Sequence, residues 1–167
     1  MNEEHGHSGM SGDGKKINSS NISNFNLPYG HMYGNTDRTV PVAIANTWYE
    51  VNVASPDFIA GELNNVTFSD HYLQIQKAGR YLITFGMALE TTTANDEVAG
   101  TVAINGTASE TSHGHSTIAA ANASVQLAGT TILNLSVGDQ ISFAVKNYTA
   151  ARNIIVSHAQ LSIVLIK

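Results

Sequence analysis

The chain has no cysteine, three prolines, one tryptophan and only eight lysines and arginines in 167 residues. The missing cysteine excludes a disulfide framework and any cysteine-ligated zinc site, and it fits synthesis in a reducing cytosol. The few basic residues are scattered and outnumbered by thirteen acidic ones, for a formal charge of −5. Nucleic-acid affinity comes mainly from concentrated positive charge, so no nucleic-acid partner is expected. No apolar run approaches the roughly 20 residues of a membrane span, and "MNEEHGHSGM" lacks the basic-then-apolar design of a signal peptide. A Gly-x-Ser-x-Gly elbow, a phosphate loop and a dinucleotide fingerprint are also missing. With only 13% charged residues, the surface must be built from Ser, Thr, Asn and Gly, and favours hydrogen bonding over long-range electrostatics.

What is present divides unequally. Residues 1–28, "MNEEHGHSGMSGDGKKINSSNISNFNLP", are rich in Gly, Ser, Asn and charge, with isolated Ile17, Ile22, Phe25 and Leu27. Such a segment buries too little surface to fold alone. It reads as a flexible arm that docks on a partner through those four side chains, or as a tail without a role.

Residues 29–167 form the expected single domain. Short apolar runs are separated by turn residues: "TVPVAIAN" (39–46), "TWYEVNV" (47–53), "VTFSDHYLQIQ" (66–76), "RYLITFGMALE" (80–90), "GTVAING" (100–106), "ASVQLAGTTILNLS" (123–136), "DQISFAVKN" (139–147) and "NIIVSHAQLSIVLI" (153–166). β-branched and aromatic residues at period two read as strands, and Asn-Gly, Val-Gly-Asp and Ala-Gly mark the turns. Only the alanine-rich "STIAAANASVQL" has any helical character. The fold class is all-β, an antiparallel sandwich or jelly roll of about 8–10 strands.

Alternation separates the faces. Tyr81, Ile83 and Phe85 share one side of their strand and Leu82, Thr84 and Gly86 the other, so this strand is expected to be covered on both sides. In the last strand Ala159, Leu161, Ile163 and Leu165 form a core stripe, opposed by His158, Gln160, Ser162, Val164 and Ile166. A second, part-apolar face on a central strand predicts a subunit contact. The candidate interface residues are Tyr81, Phe85, His158, Gln160, Ser162 and Val164.

The order of these motifs resembles the trimeric jelly rolls of tumour necrosis factor and the complement-type globular heads. In "LQIQKAGRYLITF" the matching positions are Leu73, Gly79, Tyr81, Ile83 and Phe85. "VAINGT" is similar to the family's strand ending in an Asn-Gly turn, "TTILNLSVGDQISFAV" to its leucine-x-leucine and Gly-Asp segment, and "AQLSIVLI" to its last strand. The resemblance spans about residues 30–166 and implies a homotrimer. Leu73 and Ile83 stand where the family often has phenylalanine, and neither a collagen repeat nor a coiled-coil stalk is present. Gly79 suits a turn into a central strand, and Val137-Gly138-Asp139 a tight hairpin whose aspartate accepts backbone hydrogen bonds.

The histidines carry the main chemical question. In "SHGHST", His113 and His115 would project from one face of an extended strand, so both could reach one metal ion. A third ligand from His71 or His158 cannot be placed by spacing. The same pair also reads as a polar strand tip, or as part of a ring of histidines about a three-fold axis. No other cofactor is expected. His5 and His7 repeat the spacing in the arm. "TTTANDEVAG", with Asn95, Asp96 and Glu97, reads as a solvated hairpin tip rather than a calcium loop. The other carboxylates, including Glu50, Asp57, Glu62, Asp70 and Glu110, are dispersed.

These readings predict a non-enzymatic, homotrimeric structural protein of a phage or virus particle, made in the host cytoplasm. It would decorate or attach to the virion through its arm, against a capsid or other particle protein. The alternative is a receptor- or glycan-binding tip of a tail fibre or surface appendage, with Tyr29, Tyr33, Trp48, Tyr49 and Tyr148 as aromatics that could stack on host surface sugars.

Overall fold

A computed structural model describes residues 26–52 and 58–167, and Ile17, Ile22, Phe25, His5, His7 and Asp57 lie outside them. The described residues form thirteen strands, numbered in chain order, and no helix long and apolar enough to cross a membrane. The first sheet contains β1 (Tyr29–Gly34), β2 (Arg38–Val40), β4 (Ile59–Asn64), β7 (Gly79–Glu90), β11 (Ser124–Leu135) and β13 (Ile154–Leu165). Its spatial order is β11-β7-β13-β1-β4, with β2 also on β13. The second holds β3 (Tyr49–Glu50), β5 (Val66–Ser69), β6 (Tyr72–Ile75), β8 (Asp96–Ile104), β9 (Thr107–Ala108), β10 (Gly114–Ile118) and β12 (Gln140–Asn147). It runs β10-β8-β12-β6-β5, with β3 on β12 and β9 on β8. Strands distant in sequence are neighbours and all pairing is antiparallel, giving the expected all-β jelly roll.

Alternation decides what lies between the sheets. Tyr81, Ile83, Phe85 and Met87 of β7 and Leu161, Ile163 and Leu165 of β13 face inward, against Leu73 and Ile75 of β6, Val102 of β8 and Ile141, Phe143 and Val145 of β12. All are buried. Each such side chain contributes on the order of 1.5–3 kcal/mol by leaving water.

The turns follow from side-chain chemistry. Every non-glycine residue described with a positive φ is an Asn or Asp: Asn46, Asn65, Asp70, Asn95, Asn105 and Asn122. These two types tolerate the left-handed region because their short polar chains bond the local backbone. Asn105 (φ 51°) and Gly106 (φ 76°) make the expected hairpin turn between β8 and β9. Asp139 accepts hydrogen bonds from the Ser136 N–H at 2.8 Å and from Asn105 Nδ2 at 2.9 Å, tying two turns together. Gly79 is required for a reason other than a turn. A Cβ there would fall 2.5 Å from Leu165 Cδ1 and 2.6 Å from the Lys167 carbonyl, where the end of the chain closes over β7.

Two sequence expectations change, and the helical alternative for one segment is set aside. "TVPVAIAN" and "TWYEVNV" supply only the short β2 and β3, while "YGHMYG", "IAGELN" and "GHSTI" are strands without a clear apolar alternation. In β1 the glycines themselves face inward: a Cβ on Gly30 would meet Val66 Cγ1 at 2.8 Å. "STIAAANASVQL" is not helical, being the end of β10, a turn and the start of β11. Asp96 is not at a solvated tip. It begins β8 with its side chain buried, 3.1 Å from Arg152 Nη1.

Candidate functional site

Two surfaces concentrate the predicted residues. The first is the outward face of the first sheet, where register aligns side chains in rows across β1, β13, β7 and β11. Tyr29, Val164, Leu82 and Ile132 form an apolar row. Beside it run His31, Ser162, Thr84 and Thr130, then Tyr33, Gln160, Gly86 and Ala128. His158, Ala88 and Gln126 follow. Ile132 is 54% exposed, Ile166 46% and Tyr29 41%, so the apolar end of the face meets solvent in a single chain. Small residues at the other end leave a groove of about 470 Å³ over Gly86 and Ala88, walled by His31, Tyr33, Gln126 and His158.

His158, Gln160, Ser162 and Val164 therefore lie on this outward face. Tyr81 and Phe85 do not. Both point into the sandwich, at 0% and 4% exposure, because the bulkier stripe of β7 packs inward and leaves Leu82, Thr84 and Gly86 outside. The Tyr81 hydroxyl donates to the Lys77 carbonyl at 2.7 Å, and burial raises the phenol pKa above its ordinary value. Of the arm residues, only Leu27 is described. It is exposed, and its carbonyl accepts from Asn64 Nδ2 at 2.9 Å.

The second surface lies on the outside of the second sheet, at its β10 edge. Register places His115, Ala99 and Lys146 in one row across β10, β8 and β12. His113 and His115 stack with ring centroids 6.3 Å apart. His113 also meets the Trp48 ring edge-on at 6.1 Å, and His115 meets Tyr148 at 6.4 Å. Lys146 Nζ sits between the two aromatics, 4.5 Å from the Trp48 centroid and 4.2 Å from that of Tyr148. The contacts close a ring: His113, Trp48, Lys146, Tyr148, His115. Two carboxylates flank it. Glu110 accepts from Trp48 Nε1 at 2.7 Å and lies 3.6 Å from His113 Nδ1, while Glu97 lies 3.8 Å from His115 Nε2.

The proposed third metal ligands are not brought to this pair. His71 is at the β5–β6 turn on the far side of the second sheet, 3.8 Å from Glu50, and His158 is on the outward face of the first. Among the described residues no group of three or more His, Cys, Asp or Glu is arranged to hold a metal ion.

No protein-family model matches the chain, and no curated protein matches its sequence. Solved structures do match its architecture. Murine APRIL at pH 5.0 superposes with a TM-score of 0.55 at 13% identity, over 84% of this chain and 99% of that one. Eiger TNF from S. frugiperda gives 0.56 at 14% identity, covering 84% and 93%. The globular domain of zebrafish complement 1qA protein gives 0.55 at 14%, covering 84% and 98%. The chain has the tumour-necrosis-factor-like jelly-roll fold. At such low identity the likeness concerns the fold alone, and side chains must be read on their own terms. The sequence named Trp48, Tyr148 and the two histidines separately, but missed Lys146. Its signal was available: a lysine in the otherwise apolar run "ISFAVKN" of a central strand.

Proposed function

We propose that the chain is a non-enzymatic homotrimeric binding module, closed through the outward face of its first sheet, and that residues 1–28 attach it to a larger particle, a phage or viral virion. The carrying observation is the apolar row Tyr29–Val164–Leu82–Ile132, whose ends Tyr29 and Ile132 are exposed and whose middle, Val164 and Leu82, is half-buried in the single chain. An exposed apolar band of this kind marks a protein contact. The fold shared with the structures above supports a trimeric binding module.

Sedimentation equilibrium tests the assembly. The wild type is expected at three times its 17.7 kDa mass. Leu82→Glu places a charge in the middle of the contact, where an unpaired carboxylate is strongly penalised, and should sediment as a folded monomer. A wild-type monomer at micromolar concentration would refute the reading. Mass spectrometry of purified particles tests the location, with the chain expected among the virion proteins.

A second reading, a receptor- or glycan-binding tip, is favoured by the ring of contacts that joins Trp48, Lys146, Tyr148 and the two histidines.

A further inference from the structure

Lys146 is only 7% exposed, yet among the described residues its ammonium has no hydrogen-bond or ion-pair partner. It is held by the two aromatic rings alone. The stem is covered while the ammonium keeps access to solvent beside the two rings, as long basic side chains do. The fold does not need the charge: an uncharged chain of the same length would pack against Trp48 and Tyr148 equally well. The nearby carboxylates, moreover, are committed elsewhere. Glu110 is bonded to Trp48 and faces His113, and Glu97 faces His115. Three N–H donors and a positive charge are thus left between the half-buried Trp48 and Tyr148 rings.

We propose that this ring binds a saccharide bearing a carboxylate, the carboxylate on Lys146 and the sugar ring against Trp48 and Tyr148. The inference rests on the glycan-binding reading and names its ligand class. Small-ligand sites combine aromatic and apolar side chains with a few convergent polar groups, and tyrosine and tryptophan join an apolar face to a polar edge. The imidazoles of His113 and His115 supply hydrogen-bonding nitrogens at the rim for hydroxyl groups. A single carboxylate matches the site better than a sulfated chain, because there is one ammonium with two acidic residues beside it, not a spread of cations.

Trp48 is the chain's one tryptophan, so its fluorescence reports directly on the site. The full-length protein is titrated with 3′-sialyllactose and, in parallel, with lactose. Sialyllactose is expected to shift the emission saturably, with lactose weaker by about tenfold or more, the worth of a charge-assisted hydrogen bond. Lys146→Met keeps the stem and removes the charge, and should bring sialyllactose down to the lactose level with the melting temperature retained. Should that variant fail to fold, broadening or shift of the His113 and His115 imidazole resonances on adding sialyllactose to the wild type gives the same answer, and their silence would overturn the proposal. Equal binding of both sugars, unaffected by Lys146→Met, would overturn the carboxylate assignment while leaving glycan binding standing. Failure of both sugars and of every member of a glycan array would remove the glycan reading as well.

Discussion

At the scale of single residues, Tyr81 shows how a side chain that reads as a surface candidate becomes a core fixture. Its ring is fully buried and its hydroxyl finds the Lys77 carbonyl four residues back, so the polar tip is satisfied without reaching water. Tyr81→Phe removes that bond and should cost about 1 kcal/mol in a denaturant titration. The same residue makes stability sensitive to alkali. Burial disfavours the phenolate, so the folded pKa is raised and the unfolded chain ionises first. Stability is unaffected below the ordinary phenol pKa of about 10 and falls as pH climbs from there towards the folded value. Melting curves from pH 8 to 11 should show this decline, and Tyr81→Phe should flatten it. Neither effect depends on the state of assembly.

At the scale of elements, short polar residues decide where strands stop. The Asn and Asp turns set the hairpin registers, and register in turn sets which side chains share a row. Asp139 joins the β11–β12 turn to the β8–β9 turn through Asn105. Asp139→Ala leaves those donors without their acceptor. It should cost about 1–2 kcal/mol and lower Tm by roughly 3–6 °C, read by calorimetry. β10 makes a contrasting case. Gly114–Ile118 is an edge strand with little apolar content, yet it holds His115 in line with Lys146 through Ala99.

At the scale of the whole molecule, the two outer surfaces divide the work proposed for the chain. The first sheet's face would close the trimer and the second sheet's face would stay outside, so three copies of the Lys146 ring would be displayed together. Three weak saccharide sites on one body gain avidity without any new contact, provided a ligand array can reach them simultaneously. The segment 1–28 would act independently of both. Deleting it should leave a folded trimer that no longer joins the particle, measured by sedimentation and by co-purification. A deleted protein that still co-purifies would place the docking contact on the domain instead.

Much of the fold was legible in residue order, because a strand writes its two faces into alternate positions. Leu161, Ile163 and Leu165 were readable as a core stripe, "VAING" as a strand with its turn, and Val137-Gly138-Asp139 as a hairpin. Strands such as "YGHMYG" were not, since their inward positions are glycines that only a close neighbour explains. Period two also separates the faces of β7 without saying which is inside: Tyr81 and Leu82 are both apolar, and the choice falls to volume, the larger stripe filling the gap between sheets. The sequence put His113 and His115 on one face of a strand, but not the meeting of that pair with the other ring residues. Residues 48, 113, 115, 146 and 148 belong to separate segments, and their meeting depends on the register of β10 on β8 and β8 on β12. The sequence by itself therefore determined an all-β sandwich and its main core stripes, through local alternation and turn chemistry. Only the tertiary structure decided which face is left bare and which side chains surround Lys146, because both follow from long-range strand pairing.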